Sequence, residues 1–232
     1  LVDIRERGVR DVEICDDTFT IHHGRAMEIL DGIIRARLDL SFRIKSRTDV
    51  FDEALARRAK KAGAYLVAFG MESGSRRLLE VMSKGITPEL NARACRLTRR
   101  HGLLCHSSWI IGYPGETPQT LHETVTFIRR NRPHTVNVGV LRPYPGTPVY
   151  DEARQRGDLV GDWHPDAEAP WVRLPWVATR QALEEARRRF MRQVYISPHY
   201  VLSLGAEMVR NANWPMARYA AQELGKLVLK SR

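Results

Sequence analysis

The sequence predicts an α/β protein with parallel strands. Five apolar runs rich in β-branched residues alternate with segments that place apolar residues at helical spacing. Repeated alternation of strand and helix favours parallel strands joined by right-handed crossovers. Polar or turn-forming residues follow every run, as active sites at the carboxyl ends of parallel strands require. An open doubly wound sheet and part of a β/α barrel both account for this pattern.

The five predicted strands lie at 12–15, 40–44, 65–69, 104–111 and 135–141. Two of the intervening helices carry a clear start signal, because Thr87-Pro88 and Thr117-Pro118 each place a capping hydroxyl before a proline at the first helical position. Gly102 provides a natural stop for the first of these helices.

The alternation stops after Gly157. The segment that follows contains Trp163, Trp171 and Trp176 among prolines, which predicts irregular structure. These rings could form a lid over the carboxyl ends of the strands or pack the C-terminal helices against the barrel, and both interpretations stay open. The sequence therefore predicts three parts: 1–157, 158–178 and a helical extension at 179–232.

Composition excludes several classes of protein. The chain has 232 residues and a net charge of +10, but its arginines are spread over many helices, so a solvated surface is preferred to a nucleic-acid interface. No apolar stretch is long enough to span a bilayer and no secretory signal is visible. Three scattered cysteines form no disulfide framework, which predicts a cytoplasmic protein.

Several local patterns bear on the chemistry of the chain. No Walker A or Rossmann glycine motif occurs. The spacing around Cys95 and Cys105 does not match that of zinc ribbons or zinc fingers. Buried free thiols are the preferred interpretation. The adjacent Asp16 and Asp17 end the first strand, where only one of them can readily face the interior. Glu72 ends the third strand, where a carboxylate could accept both hydroxyls of a ribose; the alternative for all three acids is a helix N-cap.

Five strings occur in order at barrel spacing. They are VEICDDTFT (12–20), KSRTD (45–49), GMESGS (70–75, with KG at 84–85), IIGYPGET (110–117) and RPYPGTPVY (142–150). Together they resemble the radical S-adenosylmethionine (radical SAM) superfamily, and within it the cobalamin-associated branch that includes magnesium-protoporphyrin ester cyclase-like and hopanoid-synthesis enzymes. The resemblance covers residues 1–157 and implies a partial, TIM-like β/α barrel of six strands whose first strand would precede Leu1.

The resemblance also implies a set of cofactor-binding residues. Asp16 and Asp17 match an acidic motif near the methionine amine, Arg47 matches an arginine that faces the site, and Glu72 and Ser73 match the ribose position. The adenine motif matches Ile110, Gly112, Pro114 and Glu116, and the last strand's loop matches Pro145, Gly146 and Thr147.

The resemblance further implies a 4Fe–4S cluster that cleaves S-adenosylmethionine reductively to a 5′-deoxyadenosyl radical. The CxxxCxxC loop that would hold this cluster is absent from the sequence. The expectation is therefore a fragment, inactive alone, whose cluster loop and any cobalamin-binding domain lie upstream. Its expected partners are that upstream part, an electron donor and a small-molecule substrate.

A cluster-less barrel that binds a ligand or partner is the main alternative. A metal-independent barrel enzyme is weaker, since no acid/base pair or phosphate loop emerges.

Overall fold

The computed structural model describes residues 1–164 and 169–195. Its main sheet contains five strands in chain order: β1 (Asp11–Glu13), β2 (Ser41–Ser46), β3 (Ala64–Glu72), β4 (Leu104–Ile111) and β5 (Thr135–Val140). All four neighbouring pairs are parallel. Within the described residues β1 pairs only with β2, so it forms one edge of the sheet. The predicted parallel order is confirmed.

Eight helices are described. They are α1 (Val2–Glu6), α2 (His23–Arg35), α3 (Glu53–Ala62), α4 (Arg76–Val81), α5 (Pro88–Arg100), α6 (Pro118–Asn131), α7 (Pro148–Gln155) and α8 (Arg180–Tyr195). Both predicted start signals are confirmed, because the hydroxyls of Thr87 and Thr117 accept from backbone N–H groups at 3.3 and 3.2 Å. No helix in these ranges is long and apolar enough to cross a membrane.

The two faces of the sheet differ in chemistry. Alternate residues such as Phe42, Val67 and Trp109 are buried in one apolar core with Leu30 of α2 and Ile128 of α6. The residues between them on the strands point to the opposite face, where charged and small side chains line a cavity. The apolar face therefore stabilises the fold, and the polar face is available for a ligand.

The segment after α7 packs into the same core. It contains two short antiparallel strands that were not predicted, β6 (Leu159–Val160) and β7 (Trp171–Val172). Trp171 is 7% exposed and belongs to the core cluster, together with Leu183 and Phe190 of α8. Further helices predicted beyond Tyr195 lie outside the described residues, and the division at 157 and 178 stays a prediction.

Candidate functional site

A cavity of about 380 Å³ opens on the inner face of the sheet, at the carboxyl ends of β1 to β3. This volume lies within the usual range for small-molecule sites. We call it the cleft. Its lining residues are Glu13, Ile14, Asp17, Thr18, Arg43, Ile44, Lys45, Ser46, Arg47, Leu66, Ala68, Phe69, Gly70, Glu72, Lys84, His106 and Ser108.

Glu72 is the most unusual residue of the cleft. It ends β3 at a register shift against β4, and its φ of 59° is a left-handed conformation that costs a non-glycine residue energy. Bulges and strained residues of this kind cluster near functional sites. Glu72 is only 8% exposed, and a Cβ atom at Gly70 would lie 2.6 Å from its Oε1. The carboxylate therefore occupies space that exists because residue 70 has no side chain.

A chain of polar contacts leads from Glu72 to β2. The ammonium of Lys84 lies 2.8 Å from Oε1 of Glu72. The Lys84 carbonyl accepts from Nη2 of Arg47 at 2.9 Å, and Arg47 also donates to both oxygens of Asp49, at 3.1 and 2.8 Å. This forked pair with Asp49 raises the pKa of Arg47. Burial opposes ionisation of Asp49, but Arg47 outweighs it and lowers the pKa of that carboxyl.

The two adjacent aspartates separate as expected. Asp17 lines the cleft, whereas Asp16 accepts from Nη1 of Arg25 in α2 at 3.1 Å. On the inner wall Arg43 pairs with Glu13. Charged side chains on β1 and β2 thus make this half of the cavity strongly polar.

The rim above β4 and β5 is built differently. Glu116 is 2% exposed, and its Oε2 accepts from the backbone N–H of Gly112 at 2.8 Å, which closes the turn between them. Burial raises the pKa of Glu116 to about 8. Gly112 has a φ of 85°, and a Cβ there would lie 3.1 Å from Leu183 of α8. This turn therefore packs beneath α8.

Three of the twelve predicted site residues line the cleft, namely Asp17, Arg47 and Glu72. The other nine lie outside its lining: Asp16, Ser73, Ile110, Gly112, Pro114, Glu116, Pro145, Gly146 and Thr147. Ser73 is buried and shares a hydrogen bond of 3.1 Å with Thr124 of α6. The hydroxyl of Thr147 donates to the Tyr144 carbonyl at 2.6 Å.

The cleft also contains charged residues that the predicted set omitted: Glu13, Arg43, Lys45 and Lys84. Period-two alternation along β2 could have identified Arg43 and Lys45, since both share a face. Lys84 stands in the KG pair of the motif pattern.

Trp171 and Trp176 do not line the cleft. The indole N–H of Trp176 donates to the Glu116 carbonyl at 2.9 Å, and its ring borders a second cavity between α6 and α8. Their observed contacts are those of packing residues.

The three cysteines of the chain do not form a ligand set. Cys95 and Cys105 are buried with sulfur atoms 3.8 Å apart, and Cys15 is exposed. The hydrogen bond with Cys95, together with burial, raises the pKa of the Cys105 thiol. In the part of the chain that the structure describes, no three His, Cys, Asp or Glu side chains could hold a metal. A 4Fe–4S cluster takes about four thiolates, so these residues do not fit one.

Comparison with known proteins gives consistent results. A family model described as the radical SAM superfamily matches residues 1–128. An uncharacterized methyltransferase of Pyrococcus horikoshii is 36% identical over 148 residues, which is 64% of this chain and 32% of that protein. The anaerobic magnesium-protoporphyrin IX monomethyl ester cyclase of Rubrivivax gelatinosus is 29% identical over 151 residues, 64% of this chain and 27% of that protein. The chain thus spans about a third or less of these relatives.

A solved structure has a similar fold. The radical SAM methyltransferase TsrM from Kitasatospora setae, determined with cobalamin and a [4Fe–4S] cluster, superposes with a TM-score of 0.62 at 24% identity. The match covers 85% of this chain and 40% of TsrM. That likeness confirms the partial β/α barrel. The relatives are enzymes, and they include a magnesium-protoporphyrin ester cyclase of the predicted branch. The chain belongs to the radical SAM superfamily.

Proposed function

We propose that this chain forms the cofactor-binding part of a radical SAM enzyme, with the adenosyl group of S-adenosylmethionine in the cleft. The observation that carries the proposal is the buried Glu72 carboxylate, held on strained backbone at the end of β3 and facing the cavity. A carboxylate accepts hydrogen bonds through two oxygens and so matches two neighbouring ribose hydroxyls.

The remaining predicted residues fit around this contact. Asp17 lies in the same cleft and would accept from the cofactor's amine. Ile110 follows His106 and Ser108 on the inner face of β4, which supports a position beside the adenine. The turns at Gly112, Pro114 and Glu116 and at Pro145, Gly146 and Thr147 would shape the rim next to it.

The proposal places the cluster's thiolates outside this chain, because its own cysteines do not converge. A bound cluster would supply the reductive cleavage of S-adenosylmethionine, with the electron from a separate donor. The upstream part of the protein would provide the CxxxCxxC loop, and cobalamin is proposed there from the branch resemblance. The substrate would be a small molecule, and this chain alone would be inactive.

A cluster-less barrel that binds a ligand without catalysis is the second candidate. The cysteine arrangement favours it, and the cleft would serve it equally well. The sequence encoded upstream of Leu1 separates the two. CxxxCxxC within some tens of residues supports the enzyme, and a complete upstream domain without that motif supports the cluster-less barrel.

The binding claim is tested by titrating S-adenosylhomocysteine into the chain and into Glu72→Gln, by calorimetry. Loss of a charged acceptor for two hydroxyls should weaken binding about tenfold or more. Glu13→Gln is the matched control, since Glu13 lines the same cleft but is paired with Arg43. Equal affinity of the wild-type chain and Glu72→Gln would contradict the proposal.

A further inference from the structure

We infer that Lys84 and Gly70 are positioning residues for the Glu72 carboxylate, and that Arg47 holds Lys84 in place. The inference rests on the proposed function and adds to it. Arg47 lines the cleft as predicted for a cofactor-binding residue, and its contacts give it this further task.

One contact and one open space fix the direction of the carboxylate. Lys84 binds Oε1, and the absent side chain of Gly70 leaves room for that same oxygen. Among the described residues, Lys84 is the only donor within bonding distance of the Glu72 side chain. Each carboxylate oxygen has two acceptor sites, so Oε2 and the second site of Oε1 are left to accept from a ligand. A glutamate loses considerable rotamer freedom on ordering, so a carboxylate oriented in advance binds more tightly.

Lys84 can do this because its backbone is fixed. Its neighbours Ser83 and Gly85 both have left-handed backbone, with φ values of 50° and 66°, and form a tight turn after α4. Arg47 donates to the carbonyl of Lys84 while both of its other bonds go to Asp49. A half-exposed lysine on a loose loop contributes little through an ion pair. Because the turn already fixes the backbone of Lys84, its side chain loses less freedom when it pairs with Glu72. The ion pair can therefore hold the Glu72 carboxylate in place.

Glu72 is joined to β2 through these contacts. The path runs from Asp49 through Arg47 and Lys84 to the carboxylate, by an ion pair at each end and a hydrogen bond between Arg47 and the Lys84 carbonyl. Arg47 thus acts on the Glu72 carboxylate through Lys84. Lysine at position 47 would keep the charge but could not bind Asp49 and the Lys84 carbonyl in the same forked geometry.

The test compares two neutral ligands that differ in one hydroxyl, 5′-deoxyadenosine and 2′,5′-dideoxyadenosine, by ligand-observed NMR titration. The wild-type chain should prefer the diol about tenfold, as loss of a hydrogen bond to a charged group predicts. Lys84→Met and Gly70→Ala should reduce this preference to about twofold or less, and Arg47→Lys should reduce it partway. Lys61→Met removes an exposed lysine of α3 that does not line the cleft, and should keep the preference.

The preference ratio separates positioning from general damage, because a merely structural defect weakens both ligands equally. A wild-type chain that binds neither ligand, or both equally, would overturn the ribose role of Glu72. A wild-type preference that persists in both Lys84→Met and Gly70→Ala would overturn the positioning inference alone. An unchanged ratio in Arg47→Lys would overturn the role of Arg47.

Discussion

The two halves of the rim are built on opposite principles. Above β1 to β3, charged side chains face an open cavity and are held by ion pairs. Above β4, the turn closes through a hydrogen bond from the backbone N–H of Gly112 to the carboxylate of Glu116, which is buried. The first half can supply chemistry to a ligand, and the second supplies shape. Residues that were all predicted from the same family resemblance therefore have different physical roles.

The cause of this difference is local. The string at 70–75 places a glutamate between glycines at a bulge, so its side chain reaches the cavity. The string at 110–117 places glycines and a proline first, and Glu116 folds back to the turn. Both glutamates are thus buried, but only Glu72 lines the cleft.

The largest expected effect is on the stability of the chain, through the packing of the β3 rim against α6. A Cβ at Gly74 would lie 2.7 Å from both Thr124 Cα and Phe127 Cβ of α6. Gly74→Ala should therefore destabilise the chain by about 3 kcal/mol, since backbone must move. Denaturant unfolding measures this. Gly139→Ala is the control, because within the described part of the chain no atom other than those of its two chain neighbours lies within 4 Å of the added Cβ. Equal stability of the two variants would show that the β3 rim is not packed against α6 as described.

The next effect tests the β4 rim through pH. The pKa of Glu116 is about 8 in the folded chain and 4.5 in its ordinary state. Between these values the folded chain binds more protons, so its stability falls as pH rises, by on the order of 1 kcal/mol per unit. Glu116→Gln keeps an acceptor for Gly112 and removes the titration. Its stability should depend less on pH from 5 to 8 than that of the wild-type chain. Parallel pH profiles would contradict a buried, titrating Glu116.

The sequence predicted the sheet well because periodicity and turn residues are local signals. All five strands and the two threonine-capped helices follow from them. The strands β6 and β7 were missed because they have two residues each and pair across an irregular segment. Short bridges of this kind leave no periodic pattern.

The site was predicted only in part. Glu72 and Asp17 follow from their positions at strand ends, where parallel sheets collect polar residues. The Lys84 contact was not predicted, since it depends on how the turn after α4 returns to β3. Arg47 was predicted at the site and lines the cleft, but its contacts with Asp49 and the Lys84 carbonyl depend on side-chain geometry that motif position does not encode.

The most direct test of the account is a crystal structure of this chain with S-adenosylhomocysteine. The account predicts the ribose hydroxyls within about 3.2 Å of the Glu72 carboxylate, with Lys84 still on Oε1. A ligand bound elsewhere, or one whose ribose makes no contact with Glu72, would contradict it.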